Sequence, residues 1–380
     1  MTLPPFTTDA RASPGSSAVM APEARPFQRA LVVKLRHHGD VLLTTPVFSV
    51  LAAHGIEADA LVYEDTAEML TLNPAVARIH CIGRDWRALT PLAKLARYRS
   101  LHRALQQREY DLLVHLTDHW HGPRLARILR PRCAVAPDVQ SRSPWINRLW
   151  GRAFTCLFEV APGNRRHTVD MHLDALRRIG LPPAPADTKL TFVAGADAEA
   201  AVAQTLESHG LGRGGYLVVH PTSRWSFKNW PVERMAAFVD AISARGDRVV
   251  LTAAPARAEL DWVGALRGLL AQPVTDLSGQ LTLKQLGALI AGARAFVGMD
   301  SVPMHIAAAL GTPTVALCGP SGDKEWGPWQ VPHRVVAAAF ACRPCGQAGC
   351  GGSKVSDCLT AIDPDTVVTA LDELLAGATR

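Results

Sequence analysis

Short apolar runs alternate along the chain with longer stretches of helical spacing. "ALVVKL" (30–35), "ADALVY" (58–63), "RIHCI" (78–82), "YDLLVHL" (110–116) and "CAVAP" (133–137) are apolar or β-branched and bounded by turn residues. Such runs predict parallel strands buried on both faces. Between them, segments such as 91–108, with Leu92, Leu95, Ala96 and Arg99, keep helical spacing. Three prolines within residues 181–185 then break the pattern. A second series follows, with strands predicted at 216–221, 248–254, 295–300 and 313–319 and helices near 231–245, 256–271, 282–293 and 303–310. The alternation predicts an α/β chain of two Rossmann-like, doubly wound domains facing a central cleft.

The expected divisions are a disordered tail over 1–27, an N-terminal domain over 28–182, a linker over 183–198, a C-terminal domain over 199–362 and a closing helix over 363–380. Asp363 and Pro364 suit the N-cap and first position of that helix, so their D-P-D string reads as a cap rather than a metal motif.

Composition adds a direction. The 380 residues are 48% hydrophobic, enough for two cored domains. The net charge is +6, but residues 84–178 alone hold 18 Lys/Arg against 8 Asp/Glu. That basic half implies an anionic partner, or else a solvated face. No run reaches the roughly 20 apolar residues of a membrane span, and the first 27 lack the apolar centre of a signal peptide. The expected location is the cytoplasm, with docking on a membrane surface open to it.

Neither G-x-G-x-x-G after the first strand nor G-x-x-x-x-G-K-[ST] occurs, which disfavours dinucleotide oxidoreductases and P-loop NTPases. The first strand leads instead into "HHGD". There Gly39 and Asp40 follow Lys34, Arg36, His37 and His38. Asp40 has two readings: a helix cap, or a general base facing the cleft. In the second half, "HPTSRWSFKNWP" (220–231) offers Thr222, Ser223 and the mobile cation Lys228 to phosphate oxygens. In "VGMDSVPMHIAAALGTPTVALCGPS" (297–321), Asp300 and Ser301 precede a helix bearing His305, whose N-terminus suits an anion.

"GDVLLTTPV", "HPTSRWSFKNWP" and "GMDSVPMHIAAALGTPTVALCGPS" together resemble glycosyltransferase family 9, the bacterial lipopolysaccharide heptosyltransferases. "HHGDVLLTTPV", "LTDHW" and "MDSVPMHIAAA" are most similar to its heptosyltransferase III branch. The resemblance runs from about Arg29 to the C-terminus. It implies a GT-B fold and inverting transfer from ADP-heptose to the lipopolysaccharide inner core, on heptosylated Kdo-lipid A. It places the base on Asp40 and the diphosphate-binding lysine on Lys228, with Thr222 and Ser223 beside it. The donor sugar falls to Asp300, with Ser301 and His305 in register, the ribose to Glu259 and the adenine to the backbone of Leu281. Val302 stands where the family often has glycine, which unsettles backbone phosphate contacts at that position. No cofactor is implied for catalysis. Lys34, Arg36, His37, His38, Arg124 and Arg127 are expected on the acceptor side, and the protein at the anionic inner face of the inner membrane.

The last element is "CRPCGQAGCGGSKVSDC". Its Cys342, Cys345, Cys350 and Cys358 have spacing C-x2-C-x4-C-x7-C. Structural zinc, reduced thiols and a disulfide are all compatible with it. Three other functions fit parts of the chain: transfer of another sugar to a capsule or surface glycan, a basic nucleic-acid-binding protein with a cysteine metal patch, and an inactive sugar-nucleotide binder. The intact set of Asp40, Lys228 and Asp300 weighs against the inactive binder, and the resemblance, in which comparable cysteine clusters occur, makes nucleic acid not the expected partner.

Overall fold

The structure, a computed structural model, describes residues 25–139, 143–161 and 163–378. Among them, two six-stranded parallel sheets form, each sandwiched by helices. The first comprises β1 (Arg29–Lys34), β2 (Glu57–Tyr63), β3 (Arg78–Ile82), β4 (Leu112–His115), β5 (Cys133–Pro137) and β6 (Cys156–Phe158). The second comprises β7 (Leu217–His220), β8 (Val249–Leu251), β9 (Thr275–Asp276), β10 (Ala295–Met299), β11 (Thr314–Leu317) and β12 (His333–Val336). Their orders are β3-β2-β1-β4-β5-β6 and β12-β11-β10-β7-β8-β9. Both are the same doubly wound topology, whose strand order reverses beside the first strand of each half. The two crevices that this reversal opens lie between β1 and β4 and between β7 and β10. The halves face each other in the GT-B arrangement.

The central strands are buried on both faces, and the sequence marks them clearly. β6, β9 and β12 carry no such mark. They have three, two and four residues and lie at the edges of the sheets, where burial is partial. An edge strand needs no continuous apolar run.

The halves share apolar material. One buried cluster runs from Val47 and Leu51 through Leu173 and Leu176 to Leu289 and Ile306, and takes in Leu190, Phe192 and Ala194 on the way. These last three belong to the proline-rich connection, which is therefore seated rather than free. The helix Ala196–Ser208 begins inside the span expected for the linker. Polar ties reinforce the seam. Lys284 Nζ donates to Thr71 O (3.0 Å) and Val193 O (2.6 Å). Asn164 Oδ1 accepts from the amides of Lys324 (2.8 Å) and Glu325 (2.9 Å).

Residues 1–24 of the expected tail lie outside the described residues. Phe27, assigned to that tail, is buried in the core with the Arg132 guanidinium 4.4 Å above its ring. An aromatic next to β1 can bury its whole face there, which the polar composition around it concealed. At the other end, Asp363 Oδ1 accepts from the Asp365 amide (2.9 Å), so the cap forms ahead of the helix Pro364–Ala378.

Away from the crevices, Asp59 on β2 is fully buried. It accepts from Arg108 Nε (2.7 Å) and Nη2 (3.1 Å) and from Tyr110 Oη (2.6 Å). Burial pushes its carboxyl up, but hydrogen bonds from His80, Arg108 and Tyr110 outweigh that and hold it well below the usual carboxylate range. A depressed folded-state value gives stability that is present above the unfolded value of about 3.9 and lost as pH falls below it. Asp59→Ala takes one carboxylate from Arg108, leaving it on Glu57, and strips Tyr110 of its acceptor; it is expected to cost about 3 kcal/mol in urea denaturation. It should also flatten the loss of stability that wild type shows below about pH 4.

Candidate active site

β1 ends at Lys34, and a short turn leads into the helix His38–Leu42. Asp40 lies in the first turn of that helix, and its Oδ2 accepts from the His37 amide (3.3 Å). The capping reading is thus realised, yet the side chain keeps 20% of its surface. Lys34 lies beneath it with Nζ 3.8 Å from Asp40 Oδ1. Lys34 is only 7% exposed, so the expectation that it faces an acceptor does not hold: it closes a buried strand, and its ammonium is turned to protein groups. Arg36 and His37 are exposed, and His38 is half-buried.

Arg36 and His37 border a cleft of 340 Å³ at the ends of β1, β2 and β4, with Arg84, Tyr63 and Trp120 among its other walls. Arg84 donates to Asp65 (2.9 Å) and to Arg36 O (2.8 Å) and lies 4.0 Å above the Tyr63 ring. Arg36 donates to Asp118 (2.8 Å). Trp120 is 46% exposed. The helix His121–Leu129 follows, with Arg124 and Arg127 on its outer face.

The second half supplies the opposing groups. After β7, Thr222 is fully buried and its hydroxyl donates to Glu259 Oε2 (2.7 Å). The Ser223 amide donates to Asn229 Oδ1 (2.8 Å). Both residues therefore shape the loop with groups that the sequence assigned to phosphate. Lys228 Nζ donates to Asp300 Oδ2 (2.7 Å), which leaves two further N–H groups on the ammonium. Asp300 follows β10, and Ser301 precedes the helix Val302–Leu310. His305 on that helix is 5% exposed, and its Nδ1 is buried without a hydrogen-bond partner among the described residues. Burial lowers its pKa, while Asp300 and Asp40 raise it and Lys228 lowers it further.

The two halves meet at Gly39. A methyl group there would lie 3.1 Å from His305 Cδ2 and 3.8 Å from Val302 Cγ2. Val302 thus fills the seam between the halves. Arg224 Nη1 also reaches His37 Nδ1 across it (3.4 Å). Asp40, Lys228, Asp300 and His305 are in this way brought to one place. Glu259 lies further along, at the start of the helix Arg257–Leu269, and Leu281 is half-buried just before the helix Leu283–Ala291.

The cysteine expectation is not met as a metal centre. Among the described residues no group of three or more His, Cys, Asp or Glu is placed to hold a metal ion. Cys342, Cys345 and Cys350 are exposed and Cys358 is buried, all as free thiols. The loop carries its first three thiols on the surface while Cys358 turns under into the short helix Asp357–Thr360; burial raises the Cys358 pKa, and Cys350 and Cys345 add to the rise.

Sequence reasoning passed over His172, Arg224 and Arg84. For His172 a signal existed: it interrupts the apolar stripe Val169, Leu173, Leu176 on its helix. Arg84 and Arg224 carried none, because only the tertiary fold brings them to the cleft.

The two facing doubly wound halves define a GT-B fold. Residues 98–355 match the model of glycosyltransferase family 9 (heptosyltransferase). The chain is similar to lipopolysaccharide heptosyltransferase 3 of Escherichia coli, 35% identical over 78% of this chain and 84% of that protein. Its fold is similar to a family 9 glycosyltransferase from Veillonella parvula (TM-score 0.76, 22% identity, 93% of this chain and 99% of that one). It is also similar to the E. coli heptosyltransferase WaaC with ADP (TM-score 0.69, 21% identity, 91% and 100%). The chain belongs to glycosyltransferase family 9.

Proposed function

We propose that this enzyme transfers heptose from ADP-heptose to the inner core of lipopolysaccharide, on a heptosylated Kdo-lipid A acceptor, with inversion at the anomeric carbon. The observation that carries the reading is the meeting of Asp40 from one half with Lys228, Asp300 and His305 from the other. Relatives named as lipopolysaccharide heptosyltransferases, and the ADP and ADP-2-deoxy-2-fluoro heptose bound to WaaC, support the choice of donor and acceptor.

In the proposed step an acceptor hydroxyl oxygen attacks the anomeric carbon as Asp40 takes its proton. The bond from that carbon to the diphosphate oxygen breaks, and ADP leaves with the electron pair. Attack opposite the leaving group inverts the centre. Lys228 meets the diphosphate with its two remaining N–H groups, and the N-terminus of the helix Val302–Leu310 adds a positive end. Asp300 and His305 hold the heptose, Glu259 the ribose and Leu281 the adenine. On the acceptor side, Arg36, His37 and Arg84 attract anionic groups and Trp120 gives a face for a sugar ring.

Among the described residues no helix is long and apolar enough to cross a membrane. A surface contact at the cytoplasmic leaflet fits the exposed basic residues of the acceptor half. Beside Arg124 and Arg127, the helix Pro144–Arg152 exposes Trp145, Arg148, Leu149 and Arg152 at helical spacing, a cationic and apolar stripe.

The decisive assay offers ADP-heptose and other nucleotide sugars with a heptosylated core acceptor and reads the product's anomeric configuration by NMR. Asp40→Asn should lower turnover about 10²- to 10⁴-fold while ADP-heptose still binds. Turnover close to wild type would remove Asp40 from the role of base. Lys228→Ala should weaken ADP binding about 10- to 100-fold by calorimetry and slow transfer as well. An unchanged ADP affinity would place Lys228 off the diphosphate. Binding to anionic liposomes should fall steeply with salt. Replacing Arg124, Arg127, Arg148 and Arg152 together with Gln should weaken it without changing ADP affinity. Equal co-sedimentation with wild type at low salt would reduce the patch to a solvated face.

A further inference from the structure

The transfer step leaves a buried cation under its base without a role. Lys34 directs Nζ to three acceptors: Leu116 O at the end of β4 (3.1 Å), His172 Nε2 (3.0 Å) and Asp40 Oδ1 (3.8 Å). Two of its three N–H groups are hydrogen-bonded, and Asp40 stands at ion-pair distance on the remaining side. His172 is 4% exposed on the helix Thr168–Arg177, and its Nδ1 lies 3.0 Å from Leu43 O. A carbonyl oxygen only accepts, so Nδ1 carries the ring proton and Nε2 offers its lone pair to Lys34. Burial and the Lys34 charge hold His172 well below its ordinary pKa, so the ring stays neutral in that role.

The network ties together four segments: the end of β1, the end of β4, the helix bearing His172, and the back of the helix bearing Asp40. With Oδ2 on the His37 amide and Oδ1 toward Lys34, the carboxylate is restrained at both oxygens. Each oxygen still has a lone pair for a substrate hydroxyl.

We propose that Lys34, seated on His172, is a positioning residue for transfer: its ammonium fixes the Asp40 carboxylate in the orientation from which it takes the acceptor proton. This rests on the reading of Asp40 as base. It separates Lys34 from the exposed cations nearby, which face solvent and substrate.

A distinctive pH signature follows. Burial brings the Lys34 ammonium down to about 8, with Asp40 opposing, Arg36 adding to the fall and Asp118 opposing. The groups facing it are Asp40 and Arg36 from the first loop, Asp118 and His115 from β4 and the loop beyond, and His172 from its helix. Burial pushes His115 down to about 3, so neither histidine titrates in this window. Lys34 keeps its proton below about 8 and loses it as pH rises through that value. The ion pair to Asp40 goes with it, and kcat should decline.

The test is the pH dependence of kcat for the full-length enzyme with ADP-heptose and core acceptor, from about pH 6 to about pH 10. Wild type should lose activity through about pH 8. Lys34→Met should lower kcat about 10- to 100-fold, lose that alkaline limb, and leave ADP affinity unchanged by calorimetry. His172→Gln, whose amide oxygen can accept from Nζ, should retain more activity than His172→Phe. His172→Phe should also move the limb to lower pH, because the charged amine has lost an acceptor. A wild-type profile flat through this window overturns the proposal, as does a slow Lys34→Met that keeps the limb. If Lys34→Met does not fold, an unmoved limb in His172→Phe overturns it. Full activity in Asp40→Asn traces the failure to the base assignment instead, and removes this proposal with it.

Discussion

The site depends on a place where a side chain is missing. At Gly39 the backbone of the first-loop helix comes so close to His305 and Val302 that a single methyl would press on the imidazole. That approach sets the separation of the halves, and everything reactive is counted from it. Asp40 is the next residue along one chain segment. Ser301 and Asp300 lie just before Val302 on the other, with Lys228 bonded to Asp300. A glycine is required by crowding from another part of the chain here, not by backbone angle.

The topology explains why the groups needed are available at that contact. Each half repeats one strand order, and each reversal leaves loops free to diverge above the strand ends. The first half puts a carboxylate there over a buried lysine. The second puts a cation and a helix N-terminus there. One crevice thus carries a carboxylate and the other a cation beside a helix N-terminus, which is the division that the proposed transfer requires.

Much of this was legible in the chain because its causes are local. Buried central strands write continuous apolar runs, and the residues at their ends, from Lys34 to Asp40 and from Met299 to His305, are contiguous in sequence. What escaped was whatever depends on neighbours distant in sequence. The edge strands β6, β9 and β12 lack the double-sided burial that produces an apolar run. Lys34 looked like one basic residue among several, and only the fold shows it under Asp40 and against His172. The hydroxyl of Thr222 looked free until Glu259, 37 residues away, was placed beside it. For the four clustered cysteines the sequence left three readings open, and the structure has them as free thiols with no set placed to hold a metal ion among the described residues.

The apolar cluster that crosses from one half to the other bears on how the molecule comes apart. Two cored domains on a loose tether would open and unfold separately, each with its own cooperative transition. Here Leu190, Phe192 and Ala194 of the connection are buried with residues from both sides. Parting the halves fully would wet that surface, so each half owes some of its stability to the other. The lifetime of the folded enzyme is then a property of the whole chain.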